Sequence, residues 1–343
     1  MTTWQPRLER ITNGEEISAL RLGDERVDRY LEFVGARGRR NTWLATAFDL
    51  KVFFDVVAAD PCAVTTAHVL DFIREQRRPR HGGKVVRLED GEAGLSLRTV
   101  KRRLASVSGL YAYLLACGEV GANPVPRGLA TRTSARREGT RGAPLLRTPR
   151  TLPRVLAPEE VSALLGALRT LRDRAMVEAM VLGGLRRGEV LALRLGDVRP
   201  GENRLFVAEG KGGHQRIVPV AARFFATLAR YLEEERAETD SDRVFVALKG
   251  KRRGRPLGAS GLSEILEGAR RRADLAHATC HELRHTCMTR LREAGMSLEA
   301  VQAQAGHRSI ESTRVYLHLS SRWLVEEYER AIASIEAQTV TAS

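Results

Sequence analysis

Two histidines and an acid stand within five residues in His281-Glu-Leu-Arg-His285. On a helix the histidines fall one turn apart on one face, the spacing at which two imidazoles hold zinc while the intervening glutamate activates water. A zinc site needs a third protein ligand. The metzincin continuation would put a glycine where this chain has Met288, so Glu299 or Glu311 would have to serve instead. A zinc peptidase therefore explains five residues and gives no reason for the chain's formal net charge of +14.

The same five residues also read as His-x-x-Arg-His, and four further motifs fall into order around them. Upstream are Gly184-Leu185-Arg186-Arg187-Gly188-Glu189 and the glycine-flanked Lys211; downstream are Gly306-His307-Arg308-Ser309 and Tyr316-Leu317-His318. Taken singly each has an ordinary reading: Arg186 a surface arginine, Lys211 a solvated turn residue, His307 a cap, Tyr316 a packing residue. Their joint order resembles the catalytic domain of the tyrosine recombinases, the phage integrase family, over about 170 residues from Leu156 to Glu326. The resemblance implies that Arg186, Lys211, His281, Arg284, His307 and Tyr316 are catalytic and that Glu189 and His285 support them. With all six catalytic positions present, a DNA-binding protein that has lost catalysis is disfavoured.

The chemistry asks for these residue types. A phosphodiester passing through a pentacoordinate transition state gathers negative charge on its non-bridging oxygens. Two guanidiniums, here Arg186 and Arg284, grip such oxygens with paired hydrogen bonds and stay charged at any physiological pH. A phenol with an ordinary pKa of about 10 needs a neighbour to take its proton, the role given to His281, before Tyr316 can attack. His307 would hydrogen-bond a phosphate oxygen, and Lys211 on its glycine-rich tip would protonate the departing 5′-oxygen. The phosphotyrosine conserves the energy of the broken bond, so a second 5′-hydroxyl can reverse the step. By resemblance, no cofactor is needed, neither ATP nor metal.

The elements that must position these residues are mainly helical. Leu50, Phe53, Phe54 and Val57, and again Val100, Leu104, Val107 and Leu110, recur at three- and four-residue steps, as on a helix with one buried face. Two short β candidates, Arg204–Ala208 and Arg216–Val220, flank the turn at 209–215 and suit a hairpin. A third apolar run at 244–247 precedes a basic loop, and helix is expected from there to about Ala337, with Ser297 and Ser309 as N-caps. The fold class is thus mainly α with a small antiparallel β-sheet (α+β). The resemblance makes the first helical region a SAM-like core-binding domain ahead of the catalytic domain.

Domain limits follow from composition. Residues 121–155 hold five of the twelve prolines and eight arginines against the single acid Glu138. Such a stretch reads as an extended basic tether, able to track a phosphate backbone. The expected organisation is a tail at 1–24, a helical DNA-binding domain at 25–122, a linker at 123–155, a catalytic domain at 156–322 and a C-terminal helix and tail at 323–343. A polar, glycine-containing stretch from Arg77 to Gly94 reads as a loop.

Lys and Arg exceed Asp and Glu by 56 to 42, which favours a polyanionic partner. Double-stranded DNA recombination sites are the expected partner. Arg39, Arg40, Thr42, Lys101, Arg102 and Arg103, with Lys251 and Arg252, are the expected contacts. Beyond Tyr316 an apolar stripe of Leu324, Tyr328, Ile332 and Ile335 implies, by resemblance, a helix handed between protomers in a homotetramer, or in a hetero-tetramer with a paralogous recombinase. No apolar run approaches the roughly 18 residues of a membrane span. The four scattered cysteines suit reduced thiols, so a cytoplasmic, nucleoid-associated protein is expected. The biological role is expected to be integration, excision or transposition of a mobile element, the alternative being Xer-like resolution of chromosome or plasmid dimers.

Overall fold

The computed structural model describes residues 4–14, 16–78, 94–126, 146, 154–208 and 215–306. It is mainly helical with two small antiparallel sheets. The chain divides into two compact units, Met1–Arg150 and Thr151–Ser343. Among the described residues no helix is long and apolar enough to cross a membrane.

The first unit opens with strands β1 (Glu9–Asn13) and β2 (Glu16–Arg21), followed by α1 (Glu25–Arg37), α2 (Arg40–Val57), α3 (Thr66–Arg77) and α4 (Leu97–Ala116). The expected tail at 1–24 is therefore corrected: most of it is a β-hairpin. Asn13 closes β1 opposite Glu16, and Gly14, the first residue after the strand, takes a positive φ of 64° that a tight hairpin turn favours. Leu20 and Leu22 are fully buried, and the Trp4 ring packs tilted against Phe54, centroids 4.8 Å apart, while donating to the Leu22 carbonyl. Apolar burial on the helical core thus holds the segment down.

Helix α1 starts at Asp24, whose carboxylate accepts from the Arg26 and Val27 amides, and α4 starts at Ser96, which accepts from Thr99. The periodic residues of α2 and α4 are buried, Val57 only partly. Phe53 packs edge-on against both Phe54 and Phe72. Each large side chain withdrawn from water contributes roughly 1.5–3 kcal/mol.

A polar link crosses this core. Asp49 on α2 is fully buried and meets Arg102, Arg103 and Ser106 on α4. Arg103 is itself buried and also donates to Gln76, so it is withdrawn as a phosphate contact: its guanidinium is enclosed in its own domain, whereas that of Arg102, on the same carboxylate, is half exposed.

The second unit contains α5 (Pro158–Gly166), α6 (Leu171–Val181), α7 (Arg187–Ala192), β3 (Val198–Arg199), β4 (Arg204–Val207), β5 (Arg216–Pro219), α8 (Ala222–Arg230), α9 (Ala259–Arg272), α10 (Cys280–Glu293) and α11 (Leu298–Ala305). Helix α6 is buried on nearly every face, with Glu178 wholly enclosed and paired to Arg174 and Arg223. Strands β3, β4 and β5 form one antiparallel sheet with Leu205 opposite Val218. Val244, Phe245 and Val246 enter the core without forming a strand; Val246 makes only an isolated bridge to Pro256. Ser297 caps α11 by accepting from Ala300, whereas Ser309 lies outside the described residues, as do 79–93, most of 123–155 and all of 323–343.

Gly184, in the turn after α6, has φ of 67°, and a Cβ there would overlap the Met288 methyl of α10. Gly184→Ala should lower the unfolding free energy by at least about 2 kcal/mol, the sum of overpacking and left-handed backbone strain. In a Met288→Ala background the cost should fall to about 1 kcal/mol, leaving the strain alone. Urea unfolding of the four proteins in that cycle checks it.

Candidate active site

The turn at Gly183–Leu185 delivers Arg186 to the N-cap of α7, where its amide donates to Glu189 Oε2 at 2.8 Å and its Nη1 donates to Oε1 at 2.8 Å. Glu189 is only 5% exposed. A carboxylate so enclosed is costly unless cations meet it. Arg216, at the start of β5, supplies most of the charge: its Nη1 and Nη2 donate to Oε1 and Oε2 at 2.9 and 2.8 Å. Arg284 on α10, 3% exposed, brings its Nη1 to 4.0 Å from Oε2.

Burial by itself would raise the Glu189 carboxyl. Hydrogen bonds and charge from Arg216, then bonds from Arg186, overcome it and hold the carboxyl down at about 2. Three guanidiniums around one carboxylate leave a local excess of positive charge.

The same three arginines grip the end of α11. Arg216 Nε donates to the Gln304 carbonyl at 3.3 Å, Arg284 Nη2 to that of Ala305, and Arg186 Nη2 to that of Gly306 at 3.3 Å. These are the carbonyls a helix C-terminus leaves without partners, and cations suit its negative end. Arg284 Nη1 also donates to the Gly184 carbonyl, and Gln304 Nε2 donates to Gly183 and Pro219, both at 3.0 Å. Four distant stretches of chain therefore converge on one point: 183–189, 216–219, α10 and the end of α11.

Beside this cluster opens a cavity of about 790 Å³ lined by Arg186, Arg187, Gly188, Cys280, His281 and Arg284 among others. His281 and His285 lie in successive turns of α10 with their Nε2 atoms 2.8 Å apart, so one ring donates and the other accepts. That arrangement does not suit a zinc pair, whose lone pairs must both face the metal. Glu282 is committed elsewhere: it accepts from the Thr279 amide at 2.8 Å while Thr279 Oγ1 accepts from the Glu282 amide, a capping box that starts α10. Among the described residues no group of three His, Cys, Asp or Glu is placed to hold a metal ion. The HExxH reading is set aside.

The structure thus brings together Arg186, Glu189, His281, Arg284 and His285. Lys211, His307 and Tyr316 lie outside the described residues. Arg39, Arg40 and Thr42 are exposed around the start of α2, Lys101 and Arg102 on α4, and Lys251 and Arg252 in a single 3-10 turn. Arg216 and Gln304 are absent from the sequence reading. Arg216 registers there only as the first residue of a strand, with no signal of a partner 27 positions away.

Comparison with known proteins agrees with this architecture. The sequence model of the phage integrase family matches residues 154–322. The chain is 30% identical over 292 residues to tyrosine recombinase XerC of Pelobacter propionicus, covering 82% of this chain and 86% of that protein. It is 32% identical over 241 residues to tyrosine recombinase XerD of Lacticaseibacillus casei, covering 68% and 76%. Among solved structures it shares its fold with the Tn1549 transposon integrase in complex with a circular intermediate DNA (TM-score 0.63, 18% identity, 84% and 93% coverage). A lambda integrase dimer bound to a core site is similar in fold (TM-score 0.62, 18% identity, 85% and 93% coverage).

The depressed Glu189 carboxyl has a consequence for stability. A group whose folded pKa lies below its unfolded value stabilises above the unfolded value and loses that contribution as pH falls through the folded one. Wild type should exceed Glu189→Gln in unfolding free energy by roughly 3 kcal/mol near pH 6, and the gap should close between about pH 4.5 and 2. Urea titrations of both proteins across that range measure it.

Proposed function

Since this chain belongs to the phage integrase family, the tyrosine recombinases, enzymes that break and rejoin DNA strands, we propose that it recombines DNA at specific sites with Tyr316 as nucleophile. The observation that carries this reading is the pair Arg186 and Arg284, set against one buried carboxylate beside a cavity that also holds His281. Positive charge exceeds negative where a phosphodiester needs it.

In this mechanism Arg186 and Arg284 hold the non-bridging oxygens, and His281 takes the Tyr316 phenol proton. The tyrosine oxygen then attacks phosphorus and the bond to the 5′-oxygen breaks, with Lys211 supplying that oxygen's proton. The products are a 3′-phosphotyrosine and a free 5′-hydroxyl. Attack by the 5′-hydroxyl of a partner strand reverses the step and exchanges the strands. His307 hydrogen-bonds a phosphate oxygen, and Glu189 and His285 hold the catalytic groups in place. Arg39, Arg40, Thr42, Lys101, Arg102, Lys251 and Arg252 contact the DNA backbone, and four protomers act together on paired sites in the cytoplasm, at the nucleoid.

Moving a mobile element between sites is the first biological reading. Resolution of chromosome or plasmid dimers is the second, favoured by the XerC and XerD names of relatives that match over most of the chain.

Purified protein incubated in EDTA with nicked DNA carrying its native flanking sequence should give a covalent protein–DNA adduct on a denaturing gel, absent in Tyr316→Phe. Arg186→Ala and Arg284→Ala should each slow adduct formation about 100- to 1,000-fold. An adduct that persists in Tyr316→Phe removes the assigned nucleophile.

A further inference from the structure

The guanidinium that Glu189 holds most fully is neither of the two assigned to the phosphate. Arg216 uses Nη1 and Nη2 on the two carboxylate oxygens and Nε on the Gln304 carbonyl. Its side chain is 12% exposed, against 25% for Arg186. With Nη1, Nη2 and Nε all engaged, two of them on the carboxylate, Arg216 neutralises Glu189 more fully than either of its neighbours does. Arg186, by contrast, gives the carboxylate only one guanidinium nitrogen, Nη1.

A second observation concerns Gly306. It takes φ of 60°, and a Cβ there would lie 3.0 Å from Arg216 Cδ, Nε and Nη1. The Arg216 side chain therefore lies flat against the backbone at the end of α11, and glycine at 306 leaves room for it. The residue thus sits between the carboxylate and the helix end, touching both.

We propose that Arg216 is a positioning residue for DNA cleavage: by forking onto Glu189 it keeps that carboxylate from drawing in the second guanidinium nitrogen of Arg186, the more exposed of the arginines around it, and by bonding Gln304 it sets the end of α11 beside Arg186. The inference rests on the assignment of Arg186 and Arg284 as phosphate ligands. Without Arg216 the carboxylate retains its need for a bidentate cation, and Arg186, already bonded to Oε1 and joined to Oε2 through its amide, is the nearest one to turn. A phosphate ligand captured this way is lost to the transition state while its charge remains nearby, so DNA affinity changes little and the cleavage step slows.

Four proteins test this: wild type, Arg216→Met, Arg216→Lys, and Arg216→Met combined with Glu189→Gln. Each is checked for folding by circular dichroism, for DNA affinity by anisotropy, and for single-turnover cleavage of the nicked substrate at saturating DNA. Arg216→Met should bind DNA within about threefold of wild type yet cleave about 10- to 100-fold more slowly, the range for loss of a group that orients a reacting residue. Lysine, a point charge without the fork, should restore only part of the rate. The neutral amide of the double variant should recover about tenfold over Arg216→Met, because the competing charge is gone.

A purely structural role gives the opposite pattern: affinity, melting temperature and cleavage fall together, and the double variant is no faster than the single. That result, or an unchanged cleavage rate in Arg216→Met, overturns the proposal. If wild type itself gives no adduct, the recombinase assignment fails separately. The proposal is then read from hydrogen exchange at the Arg186 Nε–H by NMR, which should slow in Arg216→Met and recover in the double variant; no change there overturns it.

Discussion

The arginine cluster of the second unit depends on one buried carboxylate. Glu189 is 5% exposed, and no charged group so enclosed is stable without partners. Its partners come from three separate places: Arg186 from the same helix start, Arg216 from the first residue of β5, and Arg284 from the middle of α10. The same three side chains then cover the last carbonyls of α11, so one electrostatic centre joins a turn, a strand and three helices. Negative ends of the protein, a carboxylate and a helix C-terminus, serve to place cations. One carboxylate for three guanidiniums leaves a local excess of positive charge.

Helix α10 shows how one string of residues can support two chemistries until its surroundings decide. His281 and His285 have metal-ligand spacing, but their ring nitrogens face each other, and Glu282 is bound into the cap with Thr279. Capping needs a carboxylate three residues after the threonine, and a zinc peptidase needs one directly after the first histidine. The same residue satisfies both patterns, and only one of these uses is realised. The helix start that the cap defines also sets His281 in the first turn, facing the cavity next to Arg186. Burial pushes the Cys287 thiol, three residues beyond Arg284, up to about 12, even with Arg284 and Arg290 nearby.

In the first unit, adjacent arginines have opposite fates for a similar reason. Arg102 is half exposed while Arg103 is buried, because α4 turns position 103 inward against Gln76, while Arg102 reaches the same Asp49 from the helix surface. A run of basic residues on a helix necessarily spans more than one face, so at most part of it can meet a phosphate backbone.

The sequence alone determined the family chemistry and the main elements. The order of Gly-Leu-Arg, His-x-x-Arg-His, Gly-His and Tyr carries it, and the periodicity of Leu50, Phe53 and Phe54 or of Val100, Leu104 and Val107 marks the helices. These signals are local, and spacing along the chain is enough to read them. The hairpin at 9–21 was not read, because its strands are polar and exposed along most of their length and only the pairing across the turn shows them. What only the tertiary structure decided is which charges meet. That Arg216 forks onto Glu189, that Arg103 turns inward and that Glu282 caps its helix all depend on pairings across space, and an arginine or glutamate looks the same in sequence whether its partner is water, a phosphate or a carboxylate 27 residues away. Hydrophobic periodicity is written into the chain, whereas the pairing of buried charges is fixed only when the fold brings them together.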